Sequence, residues 1–508
     1  MGYKVLEFKL PTNYTEDQLK AQIHRSTGLK SFSFQVDHKN LDARNRRNIH
    51  WVLRVGVSSD ELPEAKHIPQ PALYIPYQKR NKKVVVVGSG PAGFFCGFVL
   101  QKAGYEVTIL ERGLDVINRG KAIRAFEQAG RFNPAGNYAF GEGGAGTFSD
   151  GKLTSRSKHI SAEKQFILTS YIQAGAPPEI AYLAHPHLGT DNLKIIVKNL
   201  RNEFEQLGGT FAFETIFTGF TQNNGKVTRI ETNKGELQCD VLFLAPGHSA
   251  YETYRMLMEN GVQFRTKNFA VGTRMEHLQE TINEIQWGRK ALPGVKAAEY
   301  RITSRADGKH QVFSFCMCPG GMVVPATAYA NSNIVNGMSY YSRNGRFANA
   351  ACVAAIHPDE LAGKTLTARE ALDYVEALEK NFFDITQQYQ APACTIRDFI
   401  GNSESQPVHD TSYPLGIQTL PLWEYLPKNV NNALRKGLQD FSLRMRGFSE
   451  GALLGLESKI SAPVQAVRSK EGLCEGFDNL YLAGEGSGYA GGIISSAADG
   501  IRAAMTRV

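Results

Sequence analysis

The chain has 508 residues, 42% hydrophobic and 21% charged, which is long enough for two or three domains and ordinary for a globular protein. No apolar run approaches the roughly 18–20 residues of a helical membrane span, and seven scattered cysteines argue against a disulfide framework and fit a reducing cytoplasm. The net charge of +8 is concentrated in residues 1–83, with 15 Lys/Arg against 8 Asp/Glu; this raises nucleic acid or an acidic partner, although a solvated surface on a small appended domain is the plainer reading.

Residues 1–60 predict a small α/β unit. Residues 4–10 read as a strand. Thr15-Glu16-Asp17-Gln18 has the pattern of a capping box, opening a helix to about residue 27 that Gly28 ends. Residues 31–37 and 48–57 alternate as strands do, and a ferredoxin-like arrangement is expected. Residues 61–82 hold four prolines and read as a linker, so this unit runs to about residue 78. The N-terminus shows neither a signal-peptide core nor a myristoylation motif, so a cytoplasmic location is expected.

Residues 83–112 carry the strongest pattern. Four consecutive valines, 84–87, predict a strand buried on both faces. They run into Gly88-x-Gly90-x-x-Gly93, a helix opened by Pro91 and Ala92, a second strand at 106–110 and then Glu111. This is a dinucleotide-binding βαβ unit, in which the glycines allow a tight turn, close approach of a pyrophosphate and close helix packing. Glu111 is placed to accept from a ribose diol. Downstream, residues 140–151 hold a glycine-rich loop containing Gly143, Gly144, Ala145 and Gly146; its interleaved Phe140 and Phe148 distinguish it from a flexible linker. An amphipathic helix is predicted over 191–207 and a meander over 210–240. A buried strand at 241–245 is closed by Pro246-Gly247-His248. Residues 263–471 alternate strands and helices with no second dinucleotide motif. A substrate domain is expected there, which leaves NAD(P)H only the role of a transient electron donor. Residues 472–508 hold a glycine-rich turn and a helix from about residue 493.

Three of these pieces resemble the glutathione-reductase-type FAD fold: Gly88-x-Gly90-x-x-Gly93 with Glu111-Arg112-Gly113, Leu242-Phe243-Leu244-Ala245-Pro246-Gly247, and Leu480-Tyr481-Leu482-Ala483-Gly484-Glu485. Further matches at 141–153, Gly272–His277, Phe315–Gly321, Asn336–Ser339, 455–464 and 484–492 are similar to bacterial FAD-dependent oxidoreductases often labelled NAD(FAD)-utilising dehydrogenases. The likeness spans nearly the whole chain. It implies an α/β fold with a Rossmann-like FAD domain at 79–262 and 472–508 and an inserted α+β substrate domain. It implies FAD held at the Gly88–Gly93 turn, Glu111 and Arg112, the 143–146 loop, Gly247, and Gly484 with Glu485. Gly491, Gly492 and Ile493 would present a helix N-terminus to the flavin. Two residues depart from the pattern: Glu485 stands where Asp is usual, and Lys459 where Arg is commoner.

Arg274, Glu276 and His277 are the candidate catalytic residues. In a strand Arg274 and Glu276 share a face, Arg274 to bind an anionic substrate, while His277 takes the other. His248 reads as structural. Cys316 and Cys318 read as packing cysteines rather than a redox pair, and no metal is expected. The expected activity is hydride transfer between flavin N5 and a small organic substrate; the alternatives are an FAD-dependent enzyme acting on RNA and a flavin-holding scaffold.

Overall fold

The computed structural model describes residues 2–63, 71–386, 388–403 and 407–508. Among them no helix is long and apolar enough to cross a membrane.

The N-terminal unit is a strand Gly2–Pro11, a helix Glu16–Thr27 and two strands, Ser33–Asp42 and His50–Ser59. The capping box forms: Thr15 Oγ1 accepts from the Gln18 amide at 3.3 Å, and Gln18 Oε1 accepts from the Thr15 amide at 3.0 Å. Leu19 and Ile23 of the helix pack on Leu53, Val55 and Val57 of the sheet. The sheet is antiparallel, with the His50–Ser59 strand in the middle. A ferredoxin-like fold would need a second helix and a fourth strand, and the described residues of this unit hold neither. The chain instead turns into the proline-rich stretch; residues 71–82 form no helix or strand, and the rest of the expected linker, 64–70, lies outside the described residues. Lys39 exchanges backbone hydrogen bonds with Tyr182 and Ala184, and Arg46 donates to the Ile285 carbonyl, so this unit touches both larger parts of the molecule.

The second sheet is parallel throughout. Its central strand, Lys83–Val87, pairs on one side with Glu106–Leu110 and on the other with Val241–Leu244; Thr210–Ala212 and Leu480–Leu482 are the outer strands. Val84 to Val87 are at most 8% exposed, and burying each contributes roughly 1.5–3 kcal/mol. The Thr210–Ala212 strand was expected in the meander. It joins this sheet because the helix Gly189–Gln206 returns the chain across it, as parallel pairing requires. The meander is the three strands Phe217–Asn223, Lys226–Thr232 and Gly235–Gln238. Successive strands run outward from Lys83–Val87 in one direction and then resume on its other side, next to Val241–Leu244. Open α/β sheets bind their ligands at such a reversal, beyond the carboxyl ends of the strands.

The third sheet has eight strands. Phe269–Leu278 lies in its middle, between Phe347–Ile356 and Ala452–Glu457, both antiparallel to it. The long strand Val312–Pro325 pairs with Phe347–Ile356 through two register shifts, around Cys318. The helix Lys428–Arg444 packs close against the sheet, with no room at Gly437 for a Cβ beside Val312.

Candidate functional site

Three loops leave the carboxyl ends of adjacent strands of the parallel sheet. They follow Lys83–Val87, Val241–Leu244 and Leu480–Leu482. At the first, Gly88 has φ 97° and a Cβ there would overlap the Ala245 carbonyl oxygen; a Cβ on Gly93 would overlap the Gly88 carbonyl oxygen. These two glycines are imposed by protein packing. Others border open space. A Cβ on Gly247 or Gly492 would meet nothing within 4 Å, one on Gly491 only Glu485 Oε1 at 3.7 Å, and one on Gly90 only Gly144 Cα at 3.8 Å. The backbone there lines a cradle that side chains would fill.

Two helices point their N-termini into this region. Pro91–Lys102 follows Gly90 and Ile493–Met505 follows Gly492, and neither N-cap residue supplies a side-chain acceptor. Their leading N–H groups and positive dipole ends are therefore available to an anion. The 143–146 loop sits between them: a Cβ on Gly146 would lie 3.3 Å from Ile493 Cγ1 and 3.9 Å from Pro91 Cγ. Ala145 opens a short 3-10 turn, Ala145–Phe148. A small cavity of about 30 Å³ is bordered by Ser89, Pro91, Gly143 and Ile493 on one side and by apolar core residues such as Phe94 and Leu193 on the other.

The loop is held from below by Arg119, which is fully buried. Its guanidinium donates to five carbonyls: Asn137 at 2.9 Å, Tyr138 at 3.1 Å, Gly141 at 3.2 Å, Glu142 at 2.9 Å and Gly144 at 2.8 Å. Burial pushes its pKa down to about 10. Glu111, the expected ribose acceptor, stands at the same crevice. It accepts from the Ser89 amide (3.1 Å), Ser89 Oγ (2.6 Å), the Gly113 amide (2.9 Å) and the Gly141 amide (3.1 Å), so a ribose would share its oxygens with the loops. Arg112 pairs with Glu252 and lies 3.9 Å over the Phe140 ring, as part of the wall.

The substrate-side residues are placed differently from expectation. Arg274 shares no spare donor with a ligand. Nε donates to Asn349 Oδ1 at 2.9 Å; Nη1 donates to Asn336 Oδ1 at 3.1 Å and Glu457 Oε2 at 2.9 Å; Nη2 donates to the Cys316 carbonyl at 2.8 Å and Cys318 Sγ at 3.5 Å. All five N–H groups are used, and both partners of the Arg274–Glu457 pair are wholly buried. Arg274 is thus a hub rather than a substrate-binding cation. Glu276 accepts from Thr411 Oγ1 at 2.7 Å, the Ser412 amide at 3.1 Å and Ser412 Oγ, so its carboxylate fixes the 411–412 turn. His277 packs on Phe448 with its Nε2 against the Phe448 carbonyl at 2.8 Å; burial pushes it down to about 4, so it is a neutral core residue. The three residues are not brought together as a catalytic group.

A second cluster adjoins the glycine-rich loop. Arg343 grips Asp150 with Nε to Oδ1 at 3.1 Å and Nη2 to Oδ2 at 2.6 Å, and Ser339 also donates to Asp150. Lys152 donates to the Met317 carbonyl and lies 3.8 Å from Glu299. Arg343 (φ 49°) and Cys316 (φ 46°) are both non-glycine residues in the left-handed region, a conformation that costs of order 1–3 kcal/mol and gathers at functional sites. Cys316 and Cys318 are free thiols, and burial pushes both up, Cys318 to about 12. Neither is poised as a thiolate.

Glu457 was not singled out by the sequence. Its pair with Arg274 spans 183 residues, and no local pattern marks such a partnership. Burial pushes its pKa up to about 7 against the opposing pull of Arg274 and His248. His248 in turn places Nδ1 3.6 Å from Glu485 Oε2, in the loop after Leu480–Leu482.

This arrangement defines an FAD-binding Rossmann-like protein. The family model described as FAD-dependent protein, C-terminal domain-like, matches residues 268–460, and the model described as FAD binding domain matches residues 81–131. A protein of Clostridium beijerinckii (strain ATCC 51743 / NCIMB 8052), described as uncharacterized, is 40% identical over 455 residues, 88% of this chain and 84% of the relative. The chain belongs to this family of FAD-dependent oxidoreductases. Among solved structures it is similar to L-proline dehydrogenase from P. horikoshii (11% identity, TM-score 0.35, covering 85% of this chain and 94% of that one). Glycine oxidase from Bacillus cereus ATCC 14579 gives 10% identity and a TM-score of 0.33, covering 84% and 94%. Both superpositions are loose.

Proposed function

We propose that this enzyme moves a hydride between FAD and a small organic substrate that carries negative charge. The observation that carries the reading is the glycine-lined cradle between two uncapped helix N-termini, beside a strained junction of the third sheet. FAD, when bound, supplies two-electron redox chemistry; this chain's residues bind, orient and tune it. The N–H groups after Gly90 and the 143–146 loop would hold the pyrophosphate, and Glu111 the ribose. The N-terminus of Ile493–Met505 would favour negative charge at the ring edge. A division at 1–78, 79–262 with 472–508, and 263–471 is supported by the separation of the N-terminal, parallel and eight-stranded sheets, and seven free cysteines accord with a reducing cytoplasm.

The anionic-substrate role moves from Arg274 to Lys152. Arg343 is committed to Asp150, whereas Lys152 makes one carbonyl contact, has its nearest carboxylate at 3.8 Å, and keeps 25% of its side chain exposed. Its ammonium has donors left for a carboxylate or phosphate.

The test is anaerobic reduction of the enzyme followed by reoxidation with paired acceptors, each anionic compound alongside its neutral amide or ester. Lys152→Ala should raise KM for the anionic member at least tenfold and leave the neutral member unchanged. Equal effects on both would overturn the anionic reading. NADH and NADPH should bind weakly, and a sub-micromolar Kd for either would count against a purely transient donor.

A further inference from the structure

The amino ends of the parallel strands, opposite the cradle, border a second concavity. It is a groove of about 740 Å³, lined by Lys83 and Glu106 at the starts of their strands, by Asp240, and by Lys226 of the meander. Residues 77 and 79–81 supply one wall. They belong to the stretch 71–82, which is fastened to the molecule and does not hang as a free linker. Leu73 and Ile75 pack on the core around the parallel sheet. The Gln78 amide donates to the Ala103 carbonyl at 3.2 Å, and the Arg80 amide donates to the Gly104 carbonyl at 2.8 Å. The Arg80 guanidinium lies 5.0 Å over the Tyr105 ring, and its Nη2 donates to the Val508 carbonyl at 2.9 Å. Gly104, with φ 94°, has no room for a Cβ beside the Gln78 carbonyl oxygen.

This fastened stretch turns aromatic and cationic side chains outward. Tyr74 and Tyr77 are 79% and 73% exposed, whereas the next most exposed aromatic among the described residues, Tyr489, reaches 48%. Neither tyrosine makes a side-chain contact to another described residue. Their Cα atoms are at most about 10 Å apart along the chain, so bases of one strand can stack on both rings. Residues 71–83 hold four cations, Lys79, Arg80, Lys82 and Lys83, and no acid. Arg80 is committed as a fastener. Lys79, Lys83 and Lys226 line the groove, and none of the three side chains has a hydrogen bond or ion pair among the described residues. Two carboxylates share the groove, Glu106 and Asp240, and Asp240 accepts from the Lys83 amide at 2.7 Å.

We infer that this groove and its tyrosines hold a single-stranded nucleic acid, at the end of the parallel sheet opposite the flavin cradle. Lys79, Lys83 and Lys226 would neutralise phosphates, and Tyr74 and Tyr77 would stack on bases. A duplex keeps its base faces covered and leaves the tyrosines without a partner. An acidic peptide answers the lysines but not the exposed rings. A flat anionic bilayer cannot follow a concave groove to the lysines that line it. The surface also gives a use to part of the excess positive charge of residues 1–83. No residue of the groove belongs to the cradle, so the inference stands apart from the proposed reaction.

Fluorescence anisotropy of a labelled oligouridylate, titrated with the full FAD-loaded chain, tests this. Affinity should fall with salt at a log–log slope of about −2, since each of three neutralised phosphates contributes roughly 0.7. Replacing Lys79, Lys83 and Lys226 together by Ala should bring that slope close to zero. Replacing Tyr74 and Tyr77 together by Ala should weaken binding at least about tenfold at an unchanged slope, and Phe at both positions should restore it. All five side chains are exposed and lie outside the cradle, so flavin absorbance and the urea midpoint should match the wild type and tie any loss of binding to the groove. Wild-type affinity in the double Ala variant would overturn the inference, as would a duplex bound as tightly as the single strand. Tighter binding to polyglutamate or to phosphatidylserine-rich vesicles than to the oligouridylate would also overturn it, and so would no binding at about 100 μM protein in low salt.

Discussion

Arg119 and Arg274 are both fully buried, and each donates to five acceptors, yet they serve different ends. Arg119 meets backbone carbonyls, and no carboxylate among the described residues pairs with it directly; Glu111 and Glu142 act on it only at longer range. Its charge stays close beneath the 143–146 loop that borders the cradle, where it favours an anion. Arg274 instead meets a carboxylate, two side-chain amides, a carbonyl and a thiol, and its charge is cancelled in place by Glu457. The same side chain shapes a backbone in one region and sets a proton affinity in the other. A buried arginine by itself says little about function; the chemistry of its acceptors decides.

That contrast can be broken most directly by removing each cation. Arg119→Met and Arg274→Met should each cost roughly 3–5 kcal/mol, read as urea midpoints, because each strands buried acceptors. Arg119→Met should also lose FAD. The two variants should then part company. Adding Glu457→Leu to Arg274→Met should restore part of the lost stability, since no buried charge is left unpaired and only Asn336, Asn349 and the Cys316 carbonyl still lack a donor, whereas no second substitution can satisfy five carbonyls. A double-mutant cycle showing additive losses at Arg274 and Glu457 would erase the distinction drawn here.

A somewhat smaller effect sharpens the same point with a titration. His277 is neutral in the fold with a pKa near 4, against about 6.5 when unfolded. Between those values the unfolded chain binds more protons, so the stability contribution is complete above pH 6.5 and is lost as pH falls through 4, by about 3 kcal/mol. His187, also pushed down to about 4 by burial, adds to the same limb. Stability measured from pH 7 to pH 4 should fall less steeply in His277→Phe than in the wild type; an unchanged slope would show that His277 is not buried neutral.

The smallest expected effect separates glycines imposed by packing from those that border the cradle. Gly247→Ala has open space but a φ of 73°, so it should cost about 1–2 kcal/mol, fold normally, and bind FAD more weakly by titration calorimetry. Full retention of FAD affinity would remove Gly247 from the cradle.

How much of this was legible in the sequence follows the same division. The βαβ unit could be read because its constraints are local: Gly88 and Gly93 lie within a few residues of the strand and helix that demand them. Glu111 and the start of the last helix were legible for the same reason. Arg119 was invisible, since it sits in the helix Val116–Ala129 as one of several basic residues and its acceptors lie 18 to 25 residues on. Arg274 was noticed, but its exhaustion by Asn336, Asn349, Cys316, Cys318 and Glu457 depends on strands brought together only by the third sheet. Alternation placed Arg274 and Glu276 on one face correctly in kind. It could not show that the 411–412 turn would occupy Glu276. The half-formed ferredoxin-like unit and the displaced 210–212 strand share a cause: propensity identifies strands, but their neighbours decide which sheet they enter.

The order of strands in the parallel sheet also governs how the protein is made. The four buried valines leave the ribosome long before one of their two partner strands. At 5–20 residues per second, Val241–Leu244 follows Val87 by roughly 8–30 s, and Leu480–Leu482 comes later still. Throughout that interval an apolar strand edge waits uncovered, the kind of edge that chaperones shield and that pairs wrongly between chains. The glycine cradle is complete only once residue 493 has emerged, so the nascent chain cannot be rescued early by loading its flavin.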